Sequence, residues 1–360
     1  MHLLTSLGRL QAVPNQRVYG VSFYESAVLE RTSLARRVDC RAHVLLDRLS
    51  GVPIILFLSI SCSLETEHMS LEFVPLSYYF GAEVKNLDLA QVLADETIEE
   101  LRRAFLEYDG LLLFRNQGIS REQHIAFSRR FGDLDQHEVV PKDRHPEHHE
   151  LLIVANKSVI EGQENDRAIG VTWHSDLASS LRPALGSLLR AVQVPIAGGD
   201  TLFTDMYAAY EALSGAMRDM LEDLHVVYMR ERKGGDANWL AEHRRLNPPV
   251  AQPVVRTHPE TRRKALYVGE AARFFEGMSA AESRPLLDFL VRHATQPRFV
   301  YRHRWQNNDL LMWDNRCTMH LALADYDRSK LRHLERTTIV GTPSGHVTHI
   351  EDTSVGAFME

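Results

Sequence analysis

Two short segments, far apart in the chain, place the strongest demand on any fold this sequence can adopt. The first is Trp173-His174-Ser175-Asp176; the second is Trp313-Asp314-Asn315-Arg316-Cys317-Thr318-Met319-His320. In an extended strand, residues i and i+2 project to the same side, so His174 and Asp176 can enter one cavity together. A third ligand must then come from a distant segment, and His320 closes a strand-then-loop run beside Trp313. Two imidazoles and one carboxylate are the donor set of a non-haem Fe(II) centre with open coordination positions. The same ligands with an activated water would also suit a zinc hydrolase. His-x-Asp taken alone is weak, because a buried histidine is usually just hydrogen-bonded core.

The surrounding sequence strengthens the metal reading. Gly198-Gly199-Asp200-Thr201 follows the first pair and sets a hydroxyl just beyond a tight glycine turn. After His320 comes Arg332-His333-Leu334-Glu335-Arg336-Thr337-Thr338-Ile339-Val340, whose arginines at i and i+4 share one face of an extended strand. A guanidinium grips a carboxylate through two parallel hydrogen bonds, so two arginines on one face can hold two separate carboxylates. Without a metal site nearby they would read as a solvated edge strand.

Bulk properties narrow the alternatives. A chain of 360 residues with 44% hydrophobic content can bury a substantial core, and its formal charge of −7 carries no basic stripe, which disfavours nucleic acid as a partner. Cys40, Cys62 and Cys317 are the only cysteines, with no CxxC pair, so a cytoplasmic protein without a disulfide framework is expected. The apolar run Val52 to Leu64 is shorter than the roughly 20 residues of a membrane span, and no membrane association is expected. A homo-oligomer is compatible with the sequence.

Residues 1–68 differ from the rest: seven arginines against six acids and no lysine leave them at +1, and hydrophobic positions show no sustained helical or strand period. They read as an extension outside the main folded domain, arising from a start codon placed too far upstream, from a genuine amino-terminal segment or from a weak membrane-surface anchor. A folded domain is expected over 69–345, followed by a tail over 346–360. Within the domain, Asp95 is expected to cap a helix bearing Ile98, Leu101 and Phe105, which Gly110 stops before the buried strand Leu111 to Phe114. Ser120 with Gln123, and Ser279 with Glu282, have capping-box spacing, although Pro285 is expected to move the start of the second of these helices. Ser214 opens a helix with Met217, Met220, Leu221 and Leu224 at core spacing. Phe299, Tyr301, His303 and Trp305 alternate with Arg298, Val300, Arg302 and Arg304, and a hairpin through Gln306 to Asn308 is expected to lead into Asp309 to Trp313.

Taken together, His174-x-Asp176, Gly199-Asp200-Thr201, Trp313-Asp314-Asn315 with Met319-His320, and Arg332-x3-Arg336-x-Thr338 resemble the signature of the Fe(II)/2-oxoglutarate-dependent dioxygenases of the taurine dioxygenase and 2,4-dichlorophenoxyacetate dioxygenase family. The similarity runs from about Glu72 to Thr342. Val255-Arg256-Thr257-His258-Pro259 and His293-Ala294-Thr295-Gln296-Pro297 look closest to the aryloxyalkanoate-degrading branch. The resemblance implies a mainly β protein with flanking helices, built on a double-stranded β-helix or jelly roll. It implies that His174, Asp176 and His320 bind Fe(II), leaving three positions for 2-oxoglutarate and O2, and that Thr201 and Arg332 meet the far carboxylate of 2-oxoglutarate. Arg336 is then similar in place to the residue that grips the anionic head of a small organic substrate, and His137 to a substrate-binding histidine. Trp313 would be cavity wall, whereas His145, His148 and His149 read as solvated loop residues. One departure is Leu321, where the family commonly has an arginine. The implied reaction hydroxylates an aryloxyalkanoate with ether cleavage, the alternative substrates being taurine, another alkylsulfonate or a sulfate ester. A non-catalytic jelly-roll binding module is the reading of a different class, and the complete triad argues against it.

Overall fold

The computed structural model describes residues 19–29, 36–49 and 52–65 as backbone, and residues 70–138, 142–160, 170–229, 245 and 247–349 with their side chains. The chain divides into two units, Met1–Ser70 and Leu71–Glu360. In the first, β1 (Tyr19–Leu29), β2 (Arg36–Leu49) and β3 (Val52–Glu65) form an antiparallel sheet in sequence order. Strands therefore form where the sequence shows no sustained strand period. Val38, Cys40, Ala42 and Val44 alternate with Arg37, Asp39, Arg41 and His43 within β2, and this period-two stretch is masked by irregular flanks. No helix among the described residues is long and apolar enough to cross a membrane.

The second unit is mainly β with flanking helices. Along the chain lie β4 (Glu72–Pro75), β5 (Ala82–Lys85), α1 (Asp95–Glu107), β6 (Leu111–Phe114), α2 (Arg121–Arg129), β7 (Leu152–Ala155), β8 (Ala184–Gln193) and β9 (Thr201–Asp205). Then come α3 (Met206–Glu211), α4 (Gly215–Leu221), β10 (His225–Tyr228), β11 (Val250–Pro253), β12 (Val255–Thr257), β13 (Lys264–Leu266), β14 (Ala272–Phe275) and α5 (Ala280–Ala294). The last elements are β15 (Val300–His303), β16 (Leu310–Asp314), β17 (Thr318–Ala322), β18 (His333–Val340) and β19 (His346–Val347). A seven-stranded sheet, β4-β5-β6-β16-β8-β18-β7, packs against the three-stranded sheet β15-β9-β17, and this pair of sheets is the jelly roll. A four-stranded sheet, β14-β10-β11-β19, and the pair β12-β13 complete it.

Alternation explains why the central strands are apolar throughout. Leu112 and Phe114 of β6, with Leu310 and Met312 of β16, face outward into a core closed by α1 and α2. Leu111 and Leu113, with Leu311 and Trp313, face inward against Phe203 and Leu334. A strand covered on both faces needs apolar side chains at every position. The same parity sets β18: Leu334, Arg336 and Thr338 fall on one face, Glu335, Thr337 and Ile339 on the other.

Capping boxes form at Ser120 with Gln123 and at Ser279 with Glu282. Pro285 does not move the start of α5; it is tolerated at an exposed position inside the helix. The residue capping α1 is Ala94, not Asp95, which is instead the first helical residue, its charge near the positive end of the helix dipole. Asp109 and Gly110 then take positive φ (52° and 83°), and a Cβ on Gly110 would lie 2.6 Å from the Cβ of Asp314, so glycine is required where this turn meets the end of β16. In α4 only Leu221 is fully buried; Met217 packs at the core edge and Met220 is 49% exposed, so the expected core role fails for Met220. The expected hairpin also fails. β15 pairs with β9 whereas β16 pairs with β6 and β8, so the turn between them crosses from one sheet to the other. Regular pairing extends beyond residue 345, since His346–Val347 joins β11.

Candidate metal centre

His174 and His320 are held to each other by their own backbones. The N–H of His174 donates to the carbonyl of His320 at 3.1 Å, and the N–H of His320 returns the bond at 2.8 Å. They form an isolated antiparallel bridge, so His174 is paired without belonging to a regular strand, and Asp176, two residues on, opens the turn that follows. The two rings share one side, their centroids 4.2 Å apart, while the Ser175 hydroxyl turns away to the Thr318 carbonyl at 2.8 Å. Asp176 Oδ1 lies 3.9 Å from Nε2 of His174 and 3.9 Å from Nε2 of His320.

This set suits a divalent metal. Ligand atoms of these types bind such ions at roughly 2.0–2.2 Å, so donors spaced as here can surround one ion. His174 donates from Nδ1 to the Thr172 carbonyl at 2.6 Å, which leaves the Nε2 lone pair for the metal. Burial, with His174 beside it, holds His320 well below the ordinary imidazole range, so its ring is neutral. Burial alone would raise the Asp176 carboxyl, but the Arg336 guanidinium, with the hydrogen bond from Ser187, outweighs it and keeps the group ionised. Nδ1 of His320 is buried without a hydrogen-bond partner among the described residues, and Leu321, next in β17, packs against an apolar cluster. Phe203 and Trp313 wall His320, with centroids 5.9 and 4.8 Å from its ring.

A buried polar shell surrounds Asp176. Ser187 Oγ donates to Asp176 Oδ2 at 2.7 Å, and Arg336 Nη1 donates to Oδ1. Asn315 Oδ1 accepts from the Asp176 backbone N–H at 3.0 Å and from Trp313 Nε1 at 3.1 Å, while its Nδ2 donates to Ser187 Oγ at 3.1 Å. No sequence signal singles out Ser187, which stands in a plain apolar strand; Asn315 lies in a motif legible only as a whole.

The other expected site residues assemble nearby. Gly198 and Gly199 adopt φ of 74° and 70°, and the turn leads into Thr201, whose Oγ1 accepts from Trp305 Nε1 at 2.9 Å and so keeps its own proton to donate. Arg332 is buried, its Nε donating to the Gly199 carbonyl at 2.9 Å, which brings it to the turn that carries Thr201. Thr201 pairs with Ala322 and Phe203 with His320, so Thr201 sits on the same sheet face as His320. His137 is buried in a positive-φ conformation (51°), and its Nε2 donates to the Glu150 carbonyl at 3.2 Å. Burial, with Arg336 facing it, pushes its pKa down to about 4. His149 is exposed, but His145 is not a solvated loop residue: it is buried, and its Nδ1 accepts the N–H groups of Glu147 and His148 at 3.2 and 3.1 Å, organising the turn.

A second grouping, His258, Asp314 and Cys317, is also buried. Nδ1 of His258 accepts two backbone N–H groups, from Glu260 and Thr261, so its proton is on Nε2 and is donated to Asp314 at 3.2 Å. Arg316 neutralises the same carboxylate. This is an ion-pair knot with no free nitrogen for a metal, and it anchors the loop that carries Asn315.

Fold, ligand geometry and arginine placement converge with a direct match: the family described as "Taurine catabolism dioxygenase TauD, TfdA family" matches residues 72–338. The chain belongs to the TauD/TfdA family. As a TauD/TfdA protein it is a 2-oxoglutarate-dependent non-haem iron dioxygenase, using Fe(II), 2-oxoglutarate and O2. Among TauD/TfdA relatives, the alpha-ketoglutarate-dependent 2,4-dichlorophenoxyacetate dioxygenase of Cupriavidus pinatubonensis is 39% identical over 75% of this chain and 98% of that protein. The (S)-phenoxypropionate/alpha-ketoglutarate-dioxygenase of Sphingobium herbicidovorans is 34% identical over 76% and 96% respectively. The crystal structure of AAD-2 in complex with Mn(II) and N-oxalylglycine is similar with a TM-score of 0.63 and 34% identity, covering 76% of this chain and 99% of that one.

Proposed function

We propose that this dioxygenase hydroxylates a small aryloxyalkanoate at the carbon that bears the ether oxygen, so that the product collapses to a phenol and an oxo acid. The observation that carries the reading is the placement of two guanidiniums four residues apart, Arg332 at the Gly199 turn and Arg336 at Asp176. In this reading His174, Asp176 and His320 hold the iron. Fe(II), with 2-oxoglutarate and O2, supplies the oxidising power for attack on a C–H bond. Thr201 donates its free hydroxyl proton, and Arg332 its Nη groups, to the far carboxylate of 2-oxoglutarate. Arg336 orients the substrate's anionic end, His137, its one ring proton donated to Glu150, shapes the pocket beside it, and Trp313 and Phe203 keep that side of the ligand set dry. Two relatives named for phenoxyalkanoate substrates support this choice. The absence of any CxxC pair supports action in the reducing cytoplasm.

The test is a panel of anions scored by substrate-dependent succinate formation. Aryloxyacetates and aryloxypropionates should give succinate and a phenol in equal amounts. Turnover confined to alkylsulfonates or sulfate esters would overturn the substrate assignment and leave the dioxygenase class intact.

A further inference from the structure

We infer that Ser187 and Asn315 are positioning residues that confine Asp176 to a one-oxygen ligand, and so keep open the coordination position that 2-oxoglutarate requires. The inference rests on the proposed iron-binding role of Asp176. Its basis is a chain of hydrogen bonds in which every direction is forced. The indole N–H of Trp313 and the backbone N–H of Asp176 can only donate, and both point at one end of the Asn315 amide, at 3.1 and 3.0 Å. That end must be the oxygen. The Asn315 nitrogen therefore faces Ser187 Oγ at 3.1 Å and donates to it. The serine hydroxyl, now an acceptor toward Asn315, turns its own proton to Asp176 Oδ2 at 2.7 Å. Ser187 thereby fixes the rotation of the carboxylate by holding Oδ2, and Oδ1, which also accepts from Arg336 Nη1, is the oxygen turned to the two imidazoles, 3.9 Å from each Nε2.

Burial makes the relay rigid. Ser187 and Asn315 are 0% exposed and Trp313 is 1% exposed, so no water competes for these groups. Each member is fixed by its strand: Ser187 stands opposite Trp313 in the β8 and β16 pairing, and Asn315 follows directly on β16. A carboxylate free of this relay could offer both oxygens to one ion, as carboxylates do at flexible sites. The second oxygen would occupy a position that the facial arrangement leaves for the cosubstrate.

The experiment compares wild type, Ser187→Ala, Ser187→Thr and Asn315→Asp as full-length proteins. Anaerobic Mn(II) titration followed by electron paramagnetic resonance reads metal affinity; anaerobic 2-oxoglutarate titration of the Fe(II) protein, followed by the visible charge-transfer band, reads the open position. For Ser187→Ala the expected result is metal affinity within about threefold of wild type and 2-oxoglutarate affinity weakened about tenfold or more, since a lost hydrogen bond to a charged group has that size. Ser187→Thr, which keeps the hydroxyl, should restore the wild-type value. Asn315→Asp replaces the donor facing Ser187 by an acceptor and should reproduce the loss, and it decides the matter if Ser187→Ala does not fold. Unchanged 2-oxoglutarate affinity, or an equal loss of metal and cosubstrate binding, overturns the inference. If wild type itself binds no metal, the failure belongs to the iron-site assignment and is distinguishable from the first.

Discussion

Arg332 and Arg336 are one residue type four positions apart, and their neighbours separate them. Arg332 is buried against the Gly199 carbonyl beside the turn to Thr201, whereas Arg336 reaches Asp176. Under the proposed assignment, Arg332→Ala should weaken 2-oxoglutarate binding by about 10- to 100-fold, the size expected for charge-assisted hydrogen bonds, with a smaller effect on substrate affinity. Arg336→Ala should do the reverse: 2-oxoglutarate still binds, but succinate formation uncouples from substrate oxidation. Anaerobic titration of the charge-transfer band and the ratio of succinate to product check the pair. Identical losses in both variants would remove the division of labour. The reversal of His145, from expected solvated loop to buried turn organiser, is of the same scale: only the three-dimensional turn reveals the two N–H groups that its ring accepts.

At the scale of elements, β18 turns Arg336 toward Asp176 on one face and carries a buried charge cluster on the other. Glu335 is fully buried on the outer face, accepting from Arg121 at 2.8 Å with Arg190 at 3.6 Å and His333 at 3.3 Å. Burial would raise its carboxyl, but His333 and Arg121 lower it to about 2. On the adjacent helix α2, burial pushes His124 from its ordinary 6.5 down to about 4. Both groups bind protons more weakly folded than unfolded, so both make stability fall as pH falls. The His124 contribution is lost between pH 6.5 and about 4, that of Glu335 between its ordinary 4.5 and about 2. Thermal midpoints should therefore decline steadily below pH 6.5, and Glu335→Gln should flatten the more acidic part of the profile while costing about 1–3 kcal/mol at neutral pH, the size of a lost charge-assisted hydrogen bond to the half-buried Arg121. A midpoint indifferent to pH over this window would contradict the account. In α5, Pro285 forfeits a main-chain hydrogen bond at an exposed position. Pro285→Ala should stabilise the protein by about 1–3 kcal/mol in denaturant unfolding, without altering turnover.

For the whole molecule, the division at Ser70 and the family match from residue 72 suggest that the amino-terminal unit is dispensable for catalysis. A protein beginning at Met69 should bind 2-oxoglutarate and turn over substrate as the full chain does; a loss of more than about tenfold in kcat/KM would give the first unit a catalytic role. Local patterns were mostly legible in sequence: the capping boxes at Ser120 and Ser279 depend on residues three apart and the alternation around Phe299 to Trp305 on neighbours two apart, although the cap of α1 fell on Ala94 and Pro285 stayed inside α5. The failed hairpin after β15 shows where legibility stops, because a turn sequence does not say which strands flank it. By itself the sequence determined the donor atoms, namely two imidazoles, a carboxylate, a hydroxyl and two guanidiniums, since these are properties of residue type and short spacing. Only the tertiary structure decided that His174 and His320 bond backbone to backbone, and that Ser187 and Asn315 close on Asp176. The reason is physical: those contacts depend on the register of strands distant in sequence, and register is set by the packing of both sheet faces at once.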